Sequence, residues 1–116
     1  MTVRYAFAGL AVRELAAAAA WYERLLGRPP TFVPNETEAV WQLASTASLY
    51  VAVDAERAGG GIVTLAVADL EAEIAQIAER GIAMGAVEEI AGAGRKSVAR
   101  DPDGNAIALV QVLAGS

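Results

Sequence analysis

The sequence contains neither cysteine nor histidine. Without cysteine there can be no disulfide framework, no thiolate nucleophile and no zinc–cysteine site. Without histidine there is no imidazole metal ligand and no side chain whose unperturbed pKa lies near neutrality. Serine–histidine triads and histidine-ligated metal centres are therefore excluded. Carboxylate oxygens are what remains for binding a metal ion.

Charge and hydropathy narrow the class further. The 116 residues include 9 basic and 14 acidic side chains, which gives a net charge of −5. This charge opposes binding to nucleic acid. No apolar run approaches the roughly 20 residues that a membrane span requires, and the first residues lack the apolar region of a signal peptide. We therefore expect one soluble, cytoplasmic domain with neither a nucleic-acid nor a membrane partner.

An internal repeat organises the chain. Leu-Ala-Val-Arg-Glu-Leu at residues 10–15 recurs as Leu-Ala-Val-Ala-Asp-Leu at residues 65–70, an offset of 55 residues. Each copy follows a short apolar run and precedes a helical pattern. The repeat divides the chain into module one, residues 1–58, and module two, residues 59–116, within a single domain.

Both copies of the repeat lead into an amphipathic helix. Apolar residues recur at helical spacing from Leu15 to Leu26 and from Leu70 to Ala78. Asp69 is a good N-cap for the second helix. The remaining segments have the short length and the flanking turn residues of strands. These strands are predicted at 3–12, 30–34, 38–44, 47–54, 61–68, 84–90, 95–100 and 105–113. Strand, helix and three strands thus occur twice, which predicts an α+β fold.

Two further motifs, with this βαβββ layout, suggest a family. Residues 21–27, Trp-Tyr-Glu-Arg-Leu-Leu-Gly, resemble a helix end written FYxxxLG, and residues 101–109, DPDGNAIAL, resemble a hairpin written DPDGNxIEL. Both are features of the vicinal oxygen chelate superfamily of glyoxalase I, extradiol dioxygenases and bleomycin-resistance proteins. The resemblance implies two βαβββ modules whose curled mixed sheets form a cleft. It also implies a divalent metal held by His, Gln or Glu on the inner face.

The positions that hold the metal in this superfamily do not carry metal ligands here. By the resemblance they fall on Phe7, on Ile62, on Ala108, and on Tyr50 or Val51. A neutral tyrosine is a poor ligand, and the other side chains have no lone pair. This departure from the family pattern therefore predicts a metal-free, cofactor-free protein with an apolar pocket at this place.

Other side chains are candidates for binding a ligand in that pocket. Alternation along the first strand places Tyr5 on the same side as the residue at position 7. Trp41 lies on a predicted strand with Glu38 and Gln42 on its opposite face, so either the tryptophan or the polar pair faces the cleft. Arg95 could bind a ligand carboxylate in bidentate fashion at the cleft mouth.

The leading functional hypothesis is a metal-free protein that binds a partly apolar small molecule in an aromatic-lined cleft. Trp21 lies beside the helix stripe and hints at a subunit contact, which, with the family's habit of dimerising, favours a homodimer. One alternative is a glyoxalase- or dioxygenase-like enzyme, with a carboxylate metal site at Glu36, Glu38 and Asp54 or with Glu38 as general base. A structural dimer with a vestigial pocket is a further alternative. Whether there is turnover stays open.

Overall fold

A computed structural model describes residues 1–113, and the last three residues of the predicted module two lie outside the described part. Two helices and eight strands follow the predicted order. The elements are β1 Ala6–Val12, α1 Leu15–Leu26, β2 Phe32–Asn35, β3 Glu38–Ala44, β4 Ala47–Val53, β5 Ile62–Ala66, α2 Leu70–Glu79, β6 Glu88–Ile90, β7 Gly94–Arg100 and β8 Ala106–Val112.

Each module forms its own four-stranded mixed sheet. The strand orders are β1-β4-β3-β2 and β5-β8-β7-β6. In each sheet the first strand pairs in parallel with the last, and the other pairings are antiparallel. The crossover through a helix is what allows the parallel pairing. The α+β architecture of two βαβββ modules is therefore confirmed.

The strand predicted at 84–90 is shorter in the structure. Only Glu88–Ile90 pairs with β7. The preceding segment is extended but is held by single bonds: the Gly85 N–H donates to the Val98 carbonyl at 2.9 Å. The Ser97 hydroxyl in turn donates to the Gly85 carbonyl. Met84 and Val87 pack against the core from this segment, and their hydrophobicity explains why the sequence pattern reads as one long strand.

The end of α1 and the beginning of α2 are each fixed by a residue that suits a helix terminus. Gly27 adopts a left-handed conformation with φ of 79°, and its N–H closes α1 on the Glu23 carbonyl at 2.8 Å. The Asp69 carboxylate accepts a hydrogen bond from the Ala72 N–H at 3.1 Å and caps α2. Within residues 1–113, no helix has the length and apolarity needed to span a membrane.

One continuous core lies between the helices and the inner sides of both sheets. Its fully buried members come from both modules and include Val12, Tyr22, Trp41, Leu49, Val51, Leu70 and Ile107. Each sheet therefore turns one face to the helices and the core. The opposite face of each sheet has no layer packed on it among the described residues.

A buried polar cluster joins the two modules. Asp101, at the start of the β7–β8 turn, accepts hydrogen bonds from the Tyr22 hydroxyl and the Asn105 side-chain amide, both at 2.8 Å. The Asn105 amide also donates to the Ala11 carbonyl at 2.9 Å and accepts from the Gly61 N–H at 2.8 Å. Burial, and then the adjacent carboxylate, raise the pKa of Tyr22 far above its ordinary value, so this hydroxyl stays protonated and donates. The DPDGN motif thus fastens one module to the other.

Candidate functional site

The open side of the first sheet, which we call face one, is identified by the alternation of its strands. Leu10 and Val12 of β1 belong to the core, as do Leu49 and Val51 of β4. Successive side chains in a strand point to opposite sides. Face one is therefore formed by Tyr5, Phe7, Gly9, Glu38, Val40, Gln42, Ser48 and Tyr50.

Aromatic side chains dominate the part of face one built by β1 and β4. Tyr5 and Phe7 have ring centroids 4.7 Å apart. The Tyr5 hydroxyl is hydrogen-bonded to the Ser48 hydroxyl across the strand pair, which fixes the ring. Phe7 is nevertheless 61% exposed. A large aromatic ring held by its neighbours and left open to solvent is available for contact with another molecule.

Tyr50 extends this aromatic surface. Its ring lies directly over Gly9, where an added Cβ would come within 2.4 Å of the ring. The neighbouring Val51 is fully buried on the core side. The sequence left open whether Tyr50 or Val51 points to the open side of the sheet. The structure places Tyr50 on face one. Gly9 is needed because any larger residue would displace the tyrosine.

Polar groups border the aromatic surface at both ends. In the register of β3 with β4, Gln42 lies opposite Ser48, Val40 opposite Tyr50, and Glu38 opposite Ala52. The Glu38 carboxylate accepts a hydrogen bond from the Asn35 side chain at 2.7 Å. The sequence allowed either Trp41 or the polar pair Glu38 and Gln42 to lie on the open side of β3. The structure places the polar pair on face one.

Trp41 is not part of face one, and its assignment to the ligand set is corrected here. The side chain is 0% exposed on the helix-facing side, 5.9 Å from Tyr22 between ring centroids. Its indole N–H donates to the Arg28 carbonyl at 3.0 Å. Trp21 is also buried, at 7% exposure, so it offers no surface for a subunit contact. Both tryptophans fill the core because each is on the side of its element that the helices and sheets cover.

The open side of the second sheet, face two, has a different character. Ile62 and Thr64 of β5 lie beside Ala106 and Ala108 of β8 in the parallel register. Ile62 is 79% exposed. Val98 lies opposite Ala108 on β7. Face two is thus aliphatic and made mostly of small side chains, in contrast to the aromatic face one.

Arg95 does not lie at a cleft mouth. It points to the helix side, where it pairs with Glu71 of α2 and, at 3.0 Å, with Glu89 of β6. The hydrogen bond that the Arg95 guanidinium donates to Glu71 raises the pKa of Arg95. Two of its donor groups, Nε and Nη2, are engaged by these carboxylates on the helix side, so the expectation that Arg95 lies at the mouth of the cleft is corrected.

The cations on face two are Lys96 and Arg100, which the sequence reasoning missed. Both alternate with the buried Ser97 and Ala99 along β7. Strand register shows which positions of the two sheets are equivalent. Lys96, opposite Val110, corresponds to Glu38, opposite Ala52. Arg100, opposite Ala106, corresponds to Gln42, opposite Ser48. The 55-residue offset of the internal repeat does not reveal this, since it matches Glu38 with Ala93. The match appears only when β7 and β3 are aligned by strand register. At equivalent positions face one is acidic and polar, whereas face two is basic.

The residues at the metal positions of the resembled superfamily do not fit a metal ion. Phe7 and Tyr50 are on face one, and Ile62 and Ala108 on face two. Three of the four side chains have no donor atom, and a neutral phenol is a weak one. The alternative carboxylate set is not assembled either, because no group of three acidic side chains close enough to hold a metal ion forms within residues 1–113.

The cavities found in the chain lie away from most of these residues. Tyr5 borders a shallow one of about 270 Å³ near Val3 and Thr46. Another, of about 350 Å³, lies between the two helices, the β3–β4 turn and β5. Neither is lined by Phe7, Tyr50, Ile62 or Ala108. In the described chain these four positions therefore form two open faces instead of the single enclosed cleft that was expected.

Comparison with known proteins supports the resemblance read from the motifs. Residues 4–109 match the model of the Glyoxalase/Bleomycin resistance protein/Dioxygenase superfamily. A crystal structure described as a glyoxalase/bleomycin resistance protein from Catenulispora acidiphila is 45% identical. It aligns over 97% of this chain and 100% of its own, with a TM-score of 0.90. No functionally curated protein matched.

More distant structures share the fold. TnmS3, an antibiotic-binding protein from Streptomyces sp. CB03234, is 22% identical over 97% of each chain, with a TM-score of 0.76. A bleomycin-binding protein complexed with bleomycin is 24% identical over 91% of this chain and 96% of its own, with a TM-score of 0.73. At this level of identity the likeness concerns the fold alone.

Proposed function

This chain belongs to the glyoxalase/bleomycin resistance protein/dioxygenase superfamily, and from that premise we propose that it binds a partly apolar small molecule on face one without a metal ion. The observation that carries the proposal is the aromatic surface of Tyr5, Phe7 and Tyr50. The rings are held by contacts within the sheet, yet Phe7 is 61% exposed. Such a surface suits a planar ring system of a ligand.

The polar border of face one gives the ligand an orientation. Glu38 offers a carboxylate at one end and Gln42 an amide at the other. A ligand with a cationic group near its aromatic system would gain an ion pair with Glu38, since a charged hydrogen bond is stronger than a neutral one. Antibiotic-binding relatives of the same fold make cationic, aromatic antibiotics the first compounds to test.

We propose further that two copies of the chain associate, with face one of one copy opposite face two of the other. Each face is open in the single chain, with Phe7 and Ile62 61% and 79% exposed. Large exposed apolar side chains at the centre of a face are typical of a surface that another molecule covers. The acidic Glu38 and the basic Lys96 and Arg100 make the two faces electrostatically complementary.

Calorimetric titration tests the ligand proposal. Bleomycin and a panel of planar aromatic cations are titrated into the wild type, Phe7→Ala and Tyr50→Ala. We expect each variant to weaken binding about five- to thirtyfold, because a stacking contact of about 1–2 kcal/mol is removed. Val53→Ala is the matched control, since Val53 is 39% exposed at the end of β4 on the other side of the sheet. It should leave the affinity unchanged.

Two results would contradict the proposal. Ligands that bind all four proteins equally well would show that face one is not the site. A stoichiometric divalent metal that is lost in Tyr50→Phe would show that the site is a metal centre after all.

A further inference from the structure

The internal repeat produces two equivalent corners between the modules. In the first, the β7–β8 turn reaches the end of β1, and Asn105 donates to the Ala11 carbonyl. In the second, the β3–β4 turn and the end of β5 line one cavity of about 350 Å³. We call them the closed corner and the open corner. The 55-residue repeat matches Ala66 with Ala11, and the registers of the two parallel strand pairs then match Ala47 of the open corner with Asn105.

Small and apolar residues leave the open corner empty. Where the closed corner has Tyr22, Asp101 and Asn105, the open corner has Ile77, Leu43 and Ala47 in equivalent positions, and all three line the cavity. The hydrogen-bonded cluster that fills the closed corner is thus replaced by aliphatic walls. Leu25, Leu65 and Leu109 complete these walls. The space therefore suits the apolar body of a small molecule.

A backbone acceptor beside this cavity has no partner among the described residues, and its residue, Ala66, is exposed. The Val67 N–H bonds to the Val110 carbonyl, and the Gly61 carbonyl accepts from the Ala106 N–H. Alternate residues of a parallel edge strand point away from its neighbour, so the Ala66 carbonyl points to the free edge of β5. It accepts no hydrogen bond within residues 1–113. In the closed corner the equivalent carbonyl receives the side-chain N–H of Asn105.

An acidic side chain lies on the same wall. At the helix position where α1 buries Ala18, α2 carries Glu73, which is half-buried and lines the cavity. Within residues 1–113 its carboxylate is in no ion pair. Arg28 also lines the cavity, and its charged guanidinium donates to the Gln42 carbonyl and not to Glu73. A carboxylate and a carbonyl beside aliphatic walls call for a donor that is positively charged.

We propose that the open corner is a second binding site, separate from face one, and that it takes a small primary ammonium with an apolar body. The ammonium donates to Glu73 and to the Ala66 carbonyl, as Asn105 donates to the carbonyl of Ala11. The apolar body packs against Leu43, Ile77 and the leucines of the wall. The site needs no residue of face one, so it stands or falls independently of the function proposed above.

Titration calorimetry with cyclohexylammonium tests this site, with the neutral cyclohexanol as its counterpart. The body of this probe is aliphatic, so it does not offer the planar ring that the aromatic surface of face one would stack against. We expect the ammonium to bind at least tenfold more tightly than the alcohol. Glu73→Gln should remove most of this preference. Ala47→Asn places the side chain found at Asn105 of the closed corner into the open corner. It should therefore lower the affinity for the ammonium probe at least tenfold. Glu79→Gln, on the same helix but outside the cavity, is the control and should leave the affinity for the probe unchanged.

Thermal unfolding of each variant verifies that it is folded before it is titrated. The proposal is overturned if cyclohexylammonium does not bind the folded wild type, or binds no more tightly than cyclohexanol. It is also overturned if binding survives Glu73→Gln and Ala47→Asn. Loss of binding in Phe7→Ala alone would assign the probe to face one instead.

Discussion

The closed and open corners are built from equivalent elements but have opposite contents. In one, Tyr22, Asp101 and Asn105 form a hydrogen-bonded cluster with Asn105 0% exposed. In the other, Leu43, Ile77 and Ala47 surround a cavity. Buried polar groups stabilise only when all of them are paired. The closed corner satisfies this condition and holds the modules together. The open corner has no such hydrogen-bonded cluster and contains a cavity in its place.

The two modules differ in the same way elsewhere. Trp41 of module one corresponds to Ala99 of module two by register, and both are buried against the helices. Phe7 corresponds to Ile62, and Glu38 to Lys96. Module one is thus aromatic in its core and on its open face, whereas the corresponding positions of module two carry smaller side chains and its open face carries the cations Lys96 and Arg100. A duplicated fold has kept its backbone while its two halves took different chemistry, so each can do a different task.

The largest expected effect comes from opening the closed corner. Asn105→Ala leaves the Ala11 carbonyl and the Gly61 N–H without their partners. We expect a loss of about 3–5 kcal/mol in the free energy of unfolding, because several buried polar groups lose their hydrogen bonds together. Chemical denaturation measures it. Asn35→Ala, in the exposed β2–β3 turn, is the control and should cost about 1 kcal/mol or less. Equal losses would show that the cluster is not what joins the modules.

Trp41→Phe tests the aromatic core of module one. The variant loses volume and the hydrogen bond from the indole to the Arg28 carbonyl. About 1–3 kcal/mol of stability should be lost. Since the side chain lies on the helix side, ligand affinity on face one should stay within about twofold of the wild type. A selective loss of affinity in a fully folded variant would return Trp41 to the ligand set.

Tyr22 gives the closed corner a dependence on pH. Its pKa is raised in the folded state, so its contribution to stability is complete below the unfolded value of about 10 and is lost as pH rises above it. We expect the free energy of unfolding to fall by up to about 1.4 kcal/mol per pH unit there. Denaturation between pH 8 and 11 checks the slope, and Tyr22→Phe should make it shallower. Tyr50→Phe, on the open face, should not.

The smallest expected effect concerns the charges that distinguish the two faces. Glu38→Lys or Lys96→Glu should each weaken the proposed dimer about two- to tenfold, since charges at an interface border contribute modestly. The double variant should restore association, because it exchanges the signs of the two faces. Analytical ultracentrifugation at low and moderate salt measures all four proteins. A monomeric wild type, or no recovery in the double variant, would contradict the pairing of face one with face two.

Repeats and periodicity predicted most of the fold. The duplicated Leu-Ala-Val motif and its following helix fixed the two modules, and alternation along β1 placed Tyr5 and Phe7 on the same side. The error at 84–90 has a physical cause. Met84 and Val87 are apolar because they pack on the core, and burial of a loop leaves the same pattern as burial of a strand.

The site was predicted less well than the fold. Alternation on β3 correctly opposed Trp41 to Glu38 and Gln42, but no local pattern says which side the helices cover. The sequence predicted that Arg95 binds a ligand carboxylate at the cleft mouth. In the structure it pairs with Glu71 of α2 on the helix side. Lys96 and Arg100 were visible only when the strands were aligned in register. These assignments depend on contacts between residues far apart in the sequence.

The sequence by itself determined the duplication, the order of the elements, and the absence of histidine and cysteine chemistry, because each is a property of composition or of local periodicity. The tertiary structure decided which side of each sheet is open and what fills the two corners. The reason is that successive side chains of a strand point to opposite sides of the sheet, and the local sequence does not say which side is covered. Only the packing of the helices and the register of neighbouring strands determine which face is buried and which can meet a ligand.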